Sequence, residues 1–151
     1  MRALIQRVSA ASVEVDGERI AAIGRGILAL IGVERADDET AGARLLERVL
    51  TYRIFPDGDG RMNLSLLESG GGLLLVPQFT LAADTSKGTR PGFSTAAEPA
   101  RAQALFDAVA AAARGRIAEF GVGRFGANMQ VSLTNDGPVT FWLACPASPR
   151  A

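Results

Sequence analysis

Two short runs, Ile27-Leu28-Ala29-Leu30-Ile31 and Leu73-Leu74-Leu75-Val76, are apolar at every position. A strand with one face in water alternates apolar and polar residues, so an unbroken run demands cover on both faces. The chain must therefore place something on each side of these strands. Two helical patterns are available. Asp37 or Asp38 can cap the first, in which Ala41, Leu45, Val49 and Tyr52 share a stripe with Leu46 and Leu50. Pro99 opens the second, where Ala102, Leu105, Phe106, Val109, Ala110 and Ala113 recur at helical spacing and Gly115 marks a stop.

The remaining strands alternate with period two. Arg2 to Ser9 reads as one strand, and Val13 and Val15 alternate with Ser12, Glu14 and Asp16. Asp16-Gly17 is a hairpin turn, and Arg19 to Ile23 returns. Met62 to Ser65 is a short connector, and Ile117 to Phe120 a short strand before a glycine-rich loop at Gly121 to Gly126. Near the C-terminus Val131 and Leu133 alternate with Ser132 and Thr134, while Val139, Phe141 and Leu143 alternate with Thr140, Trp142 and Ala144. Asn135-Asp136-Gly137-Pro138 lies between them. Two readings stand side by side there: an ordinary hairpin with Pro at the start of its second strand, or a backbone device that presents carbonyls to a ligand. These elements make an α/β fold, a single domain of antiparallel or mixed β-sheets with two main helices. It spans residues 1–145, with 146–151 a flexible tail.

Composition removes several chemistries. At 151 residues and 48% hydrophobic, the chain can bury a core. It has no histidine, which excludes Ser-His-Asp and Cys-His catalysis and zinc sites built on Cys and His. No apolar run can span a bilayer. One cysteine and no export signal point to the cytoplasm. Formal net charge is zero, so any nucleic-acid partner must be met by a local patch. The loop from Asp84 to Phe93 carries Lys87, Arg90 and several hydroxyls, which suits phosphate contact or plain solvation. The turn cluster Pro56 to Gly60 lacks the ligand spacing of a calcium loop, and no metal or cofactor is expected.

Pro77-Gln78-Phe79-Thr80-Leu81 and Asn135-Asp136-Gly137-Pro138-Val139-Thr140 together resemble the paired signatures of the D-aminoacyl-tRNA deacylases, also called D-tyrosyl-tRNA deacylases. Gln6-Arg7-Val8-Ser9, Met62-Asn63-Leu64-Ser65, Ala83-Asp84-Thr85, Arg90-Pro91 and Gly123-Arg124-Phe125-Gly126-Ala127 extend the resemblance over nearly the whole chain. Pro77 stands where Ser is commoner, Ala82 where an aromatic is usual and Asn128 where Asp is usual.

The resemblance implies a barrel-like homodimer with active sites at the subunit interface. It implies hydrolysis of the ester joining a D-amino acid, or mischarged glycine, to the 3′ end of tRNA. The partners would be the tRNA acceptor end and a second copy of the chain, with neither membrane nor DNA involved. Gln78, Phe79 and Thr80 would be catalytic: Gln78 orienting ribose or water, the backbone of Phe79 and Thr80 stabilising the oxyanion, with the Thr80 hydroxyl open to a second role in positioning water or attacking. Gly137 and Pro138, joined by a cis bond, would read chirality, with Arg7 fixing their orientation. Pro77, Asn135, Met129 and Phe125 would complete the substrate side, the last two lining an adenine pocket. The terminal ribose 2′-OH would assist catalysis. The alternative is a non-catalytic dimer on the same scaffold that binds a tRNA end or small ligand.

Overall fold

A computed structural model describes residues 1–147. The strands are β1 (Arg2–Val15), β2 (Glu18–Ile23), β3 (Gly26–Gly32), β4 (Phe55–Pro56), β5 (Met62–Leu64), β6 (Gly72–Pro77), β7 (Phe120–Val122) and β8 (Gln130–Ala144). The helices are α1 (Glu39–Thr51), α2 (Leu66–Ser69) and α3 (Pro99–Ala113), and a 3-10 turn covers Phe79–Ala82. Six strands form one mixed sheet in the order β2-β1-β3-β6-β7, with β8 also on β1. β2 comes back against β7, which nearly closes a barrel. β4 and β5 make a separate ribbon.

The apolar runs are covered on both faces. In β3, Ile27, Ala29 and Ile31 join a core with Leu45, Leu50, Phe106 and Val109, which is the side of α1 and α3. Leu28 points the other way, into a second core with Val8, Val13, Leu74 and Val76 inside the barrel. β6 splits likewise: Leu73 and Leu75 face the helices, Leu74 and Val76 the barrel. The two strands run parallel, Gly26 opposite Gly72. A Cβ on Gly26 would stand 2.0 Å from the Gly72 carbonyl oxygen, so this close approach admits only glycine.

Local chemistry sets the element ends. Asp38, not Asp37, caps α1 by accepting from the Ala41 N–H at 2.8 Å. Asp37 is buried and binds the Met1 ammonium and the Glu34 N–H. Residues 62–65 are more than a connector. Met62–Leu64 is β5, and Ser65 forms a capping box with Glu68 that starts α2. The strand expected at Ile117 to Phe120 lies later, at Phe120–Val122, and takes up Gly121 and Val122 from the expected loop. The first two expected strands are one strand, β1. Of the tail 146–151, residues 148–151 lie outside the described residues.

The largest correction concerns residues 135–138. No hairpin forms there. β8 is continuous from Gln130 to Ala144, and both flanks pair with β1 instead of with each other. Gln6 faces Thr140 and Val8 faces Asn135, so Arg7 alone stands opposite Asp136, Gly137, Pro138 and Val139. The surplus residues bulge out of the ladder. β1 is long enough to pair both flanks, and that non-local pairing outweighs the local turn preference of Asp-Gly.

Candidate active site

The expected site residues fall into two groups. Pro77, Gln78, Phe79, Phe125 and Met129 line one cavity of about 450 Å³, together with Val76, Val131 and the first turn of α3. The cavity sits where β6 ends. Its strand geometry is pinned by the Gln78 N–H, which donates to the Ile31 carbonyl at 2.8 Å. The chain then enters the 3-10 turn, whose first N–H groups, Phe79 and Thr80, have no partner within the turn. The Gln78 amide donates to the Thr80 hydroxyl oxygen at 2.5 Å. Thr80 is exposed and its hydroxyl accepts that bond, leaving its own proton free to donate. An amide cannot remove that proton.

No lining residue of the cavity is titratable. Its walls are apolar and backbone, relieved by the amides of Gln78 and Asn128. Gly123 lies behind them: a Cβ there would meet the Met129 sulfur at 2.9 Å and Pro77 Cδ at 3.2 Å. The loop carrying Phe125 and the strand end carrying Pro77 therefore pack on each other through a glycine.

Arg7, Asn135, Gly137 and Pro138 make the second group, on the β8 bulge. The Gly137-Pro138 peptide is cis, and Gly137 has φ of +148°. Both residues are exposed. Two side chains hold the bulge from beneath. Arg7 Nε donates to the Asp136 carbonyl at 3.1 Å and lies 3.3 Å from the Asp136 carboxylate, while its Nη1 donates to the Ile54 carbonyl at 2.7 Å. The Asn135 amide donates to the carbonyls of Arg7 and Val139, each at 2.9 Å. Both Asn135 donors are thus used within the protein, so the amide braces the bulge from Arg7 to Val139.

Gly137 and Pro138 do not line the cavity of their own chain. Arg7 pairs with Ile27 at the start of β3, whereas Gln78 is bonded to Ile31 near its end. At ~3.3 Å per residue, about 13 Å of strand separates these two positions.

A family model described as D-Tyr-tRNA(Tyr) deacylase matches residues 4–144. The chain belongs to this deacylase family. A D-aminoacyl-tRNA deacylase of Methylococcus capsulatus is 61% identical over 146 residues, covering 97% of this chain and 95% of the relative. A D-aminoacyl-tRNA deacylase of Escherichia coli is 58% identical, covering 95% and 99%. Among solved structures, one titled c-Myc DNA Unwinding Element Binding Protein superposes with a TM-score of 0.92 at 37% identity, covering 97% of this chain and 100% of that one. A probable eukaryotic D-amino acid tRNA deacylase shares the fold, with a TM-score of 0.82 at 18% identity and coverage of 94% and 97%.

Sequence reasoning did not place α3 at the site, although Ala97, Pro99 and Ala102 line the cavity. It also missed Phe93, whose ring lies 5.2 Å from that of Phe79. Neither is visible locally, because each depends on where a distant segment packs.

Proposed function

We propose that this chain hydrolyses the ester bond of D-aminoacyl-tRNA, and of glycine mischarged on tRNA, releasing free amino acid and tRNA. It acts in the cytoplasm as a homodimer in which the Gly137-cis-Pro138 bulge of one protomer enters the cavity of its partner. One observation carries this reading: a rigidly braced, exposed Gly-Pro bulge stands apart from an apolar cavity in the same chain, and each lacks what the other holds. The outer edge of β8, unpaired among the described residues, supports a second copy there. So do Leu133 and Trp142 on that strand, 37% and 49% exposed.

The chemistry follows from what the cavity offers. The terminal adenosine fits between Phe125 and Met129, in a space of ordinary ligand-pocket size. The ester carbonyl then lies at the 3-10 turn, where the N–H groups of Phe79 and Thr80 meet the developing oxyanion. One good donor of this kind contributes roughly 3 kcal/mol. Water adds to the carbonyl carbon, the bond to the ribose 3′ oxygen breaks, and that oxygen takes a proton. With no titratable group in the walls, the neighbouring ribose 2′-OH relays the proton, and Gln78 orients ribose or water.

Selection against L-amino acids works without reading side chains. The Gly137 and Pro138 carbonyls accept from the substrate α-amino group and occupy the space an L side chain needs. A D side chain points to solvent, and glycine has nothing to exclude. Arg7 and Asn135 hold those carbonyls in place before the substrate arrives.

Hydrolysis of D-Tyr-tRNA, with L-Tyr-tRNA as control, tests this. The D-ester is cleaved and the L-ester is not, and a D-ester on tRNA ending in 2′-deoxyadenosine is a poor substrate. No acceleration on the D-ester at micromolar protein refutes the activity in favour of a binding role. Equal turnover of the deoxy substrate refutes the 2′-OH route.

A further inference from the structure

An aromatic pair, Phe79 and Phe93, stands at the cavity mouth, and neither ring has a role in that scheme. Phe79 is 59% exposed and Phe93 41%, an unusual display for two phenylalanines. Their rings lie 5.2 Å apart at 44°, and Phe79 also lines the cavity, so the pair continues the cavity wall out into solvent. The polar loop runs directly into it. Asp84 and Gly92 exchange both backbone hydrogen bonds, at 2.7 and 3.0 Å, which closes the segment between them and sets Phe93 at its foot. That closed loop presents Lys87 and Arg90, both exposed and neither ion-paired among the described residues. Exposed aromatic rings beside unpaired cations, leading into a pocket, are the layout that holds single-stranded nucleic acid by base stacking and backbone charge.

We propose that the Phe79–Phe93 pair is a stacking platform for the nucleotide preceding the terminal adenosine, with Lys87 and Arg90 on the adjoining phosphates. This rests on the deacylase reading above and extends it from the terminal nucleoside to the rest of the single-stranded 3′ end. Phe79 serves through its backbone at the ester and through its ring at the platform. Phe93 is a pure platform residue and touches neither the ester nor the adenosine cavity.

The test compares two esters: D-Tyr on tRNA and D-Tyr on adenosine alone. Phe93→Ala and Phe93→Leu raise KM for the tRNA ester roughly tenfold, leave kcat near that of the wild type and do not change turnover of the adenosine ester. Phe93→Tyr, which keeps the ring, restores the tRNA KM. Replacing Lys87 and Arg90 together by Ala lowers the salt slope of tRNA binding by roughly 1.4, as expected for two single-strand phosphates. Equal loss on both esters, no loss on the tRNA ester, or a shift in subunit association without a substrate-specific effect each overturns the platform. A second readout is independent of catalysis: an uncharged oligonucleotide ending in CCA, with 2-aminopurine replacing the penultimate base. Its fluorescence is quenched by wild-type protein and not by Phe93→Ala; quenching by both overturns the proposal. Failure of the deacylase reading shows separately, as a wild-type protein inactive on both esters.

Discussion

The chain contains four Asp-Gly pairs, and two of them, Asp16-Gly17 and Asp136-Gly137, do opposite things. Asp16-Gly17 turns β1 into β2, with both residues at positive φ, +51° and +77°. A Cβ on Gly17 would meet nothing within 4 Å. Asp136-Gly137 turns nothing back. Its strand continues, Gly137 sits at φ +148°, and a Cβ there would lie 2.6 Å from both Val139 N and Val139 Cγ2. The first pair is a solvent turn that connects two strands. The second is a displaced segment pinned by Arg7 and Asn135, pushed out of a ladder that runs on either side. One dipeptide thus serves two ends, and the difference lies in what pairs with the flanks.

Alanine at the two glycines should separate these roles most widely. Gly137→Ala forces Val139 and the bulge to shift, and a displacement of about 1 Å at a binding element can cost roughly 100-fold in rate. We expect that loss on D-Tyr-tRNA, or a loss of D/L discrimination. Gly17→Ala strains only a left-handed turn, at about 1–2 kcal/mol, with activity per folded molecule unchanged. Its melting temperature should fall by several degrees. A normal Gly137→Ala enzyme would make the second pair as inert as the first.

Asn135→Ala comes next. It leaves the Arg7 and Val139 carbonyls without their donor, at about 1–3 kcal/mol, and frees the bulge without touching the cavity. Activity on the D-ester should drop roughly tenfold as preorganisation is lost. Thermal denaturation and the D/L ratio measured together check this. A stability loss with an intact D/L ratio would show that the brace serves the fold alone.

The smallest effect belongs to the turn of the β4–β5 ribbon and the capping box of α2. Asp57 is held below the usual carboxylate range, first by its bond from the Asn63 side chain and then by the Arg61 N–H. Glu68 is lowered mainly by the Ser65 N–H of the capping box. Folded pKa values below the unfolded ones mean that these carboxylates contribute stability above the unfolded values. That contribution is lost as pH falls through the folded values. Stability should therefore decline below about pH 4, and Glu68→Gln should flatten the decline slightly. An unchanged acid limb would show that these contacts carry little in solution.

Much of the scaffold was legible from periodicity. The unbroken runs at Ile27 to Ile31 and Leu73 to Val76 did require two covered faces, and alternating residues of each run supply the two cores. The helix over residues 39–51 followed from its stripe, although Tyr52 falls just past its end, and the cap was narrowed to Asp37 or Asp38, of which Asp38 serves. Of the two readings open at residues 135–138, the hairpin fails, because a turn signal is local whereas the pairing of β8 with β1 is not. The site was legible as motifs and not as geometry. Nothing local in Pro77 to Leu81 reveals that the start of α3 or Phe93 closes on it.

The central claim is that the bulge of one protomer completes the cavity of the other, and subunit mixing tests it most directly. Gly137→Ala and Gln78→Ala homodimers, each first shown to be strongly impaired on D-Tyr-tRNA, are mixed and allowed to exchange subunits. If the site forms between subunits, every mixed dimer pairs one intact bulge with one intact cavity, and activity returns. If each chain uses its own bulge and cavity, every site in the mixed dimer keeps a defect. Mixed dimers that form and stay as impaired as their parents would contradict the claim.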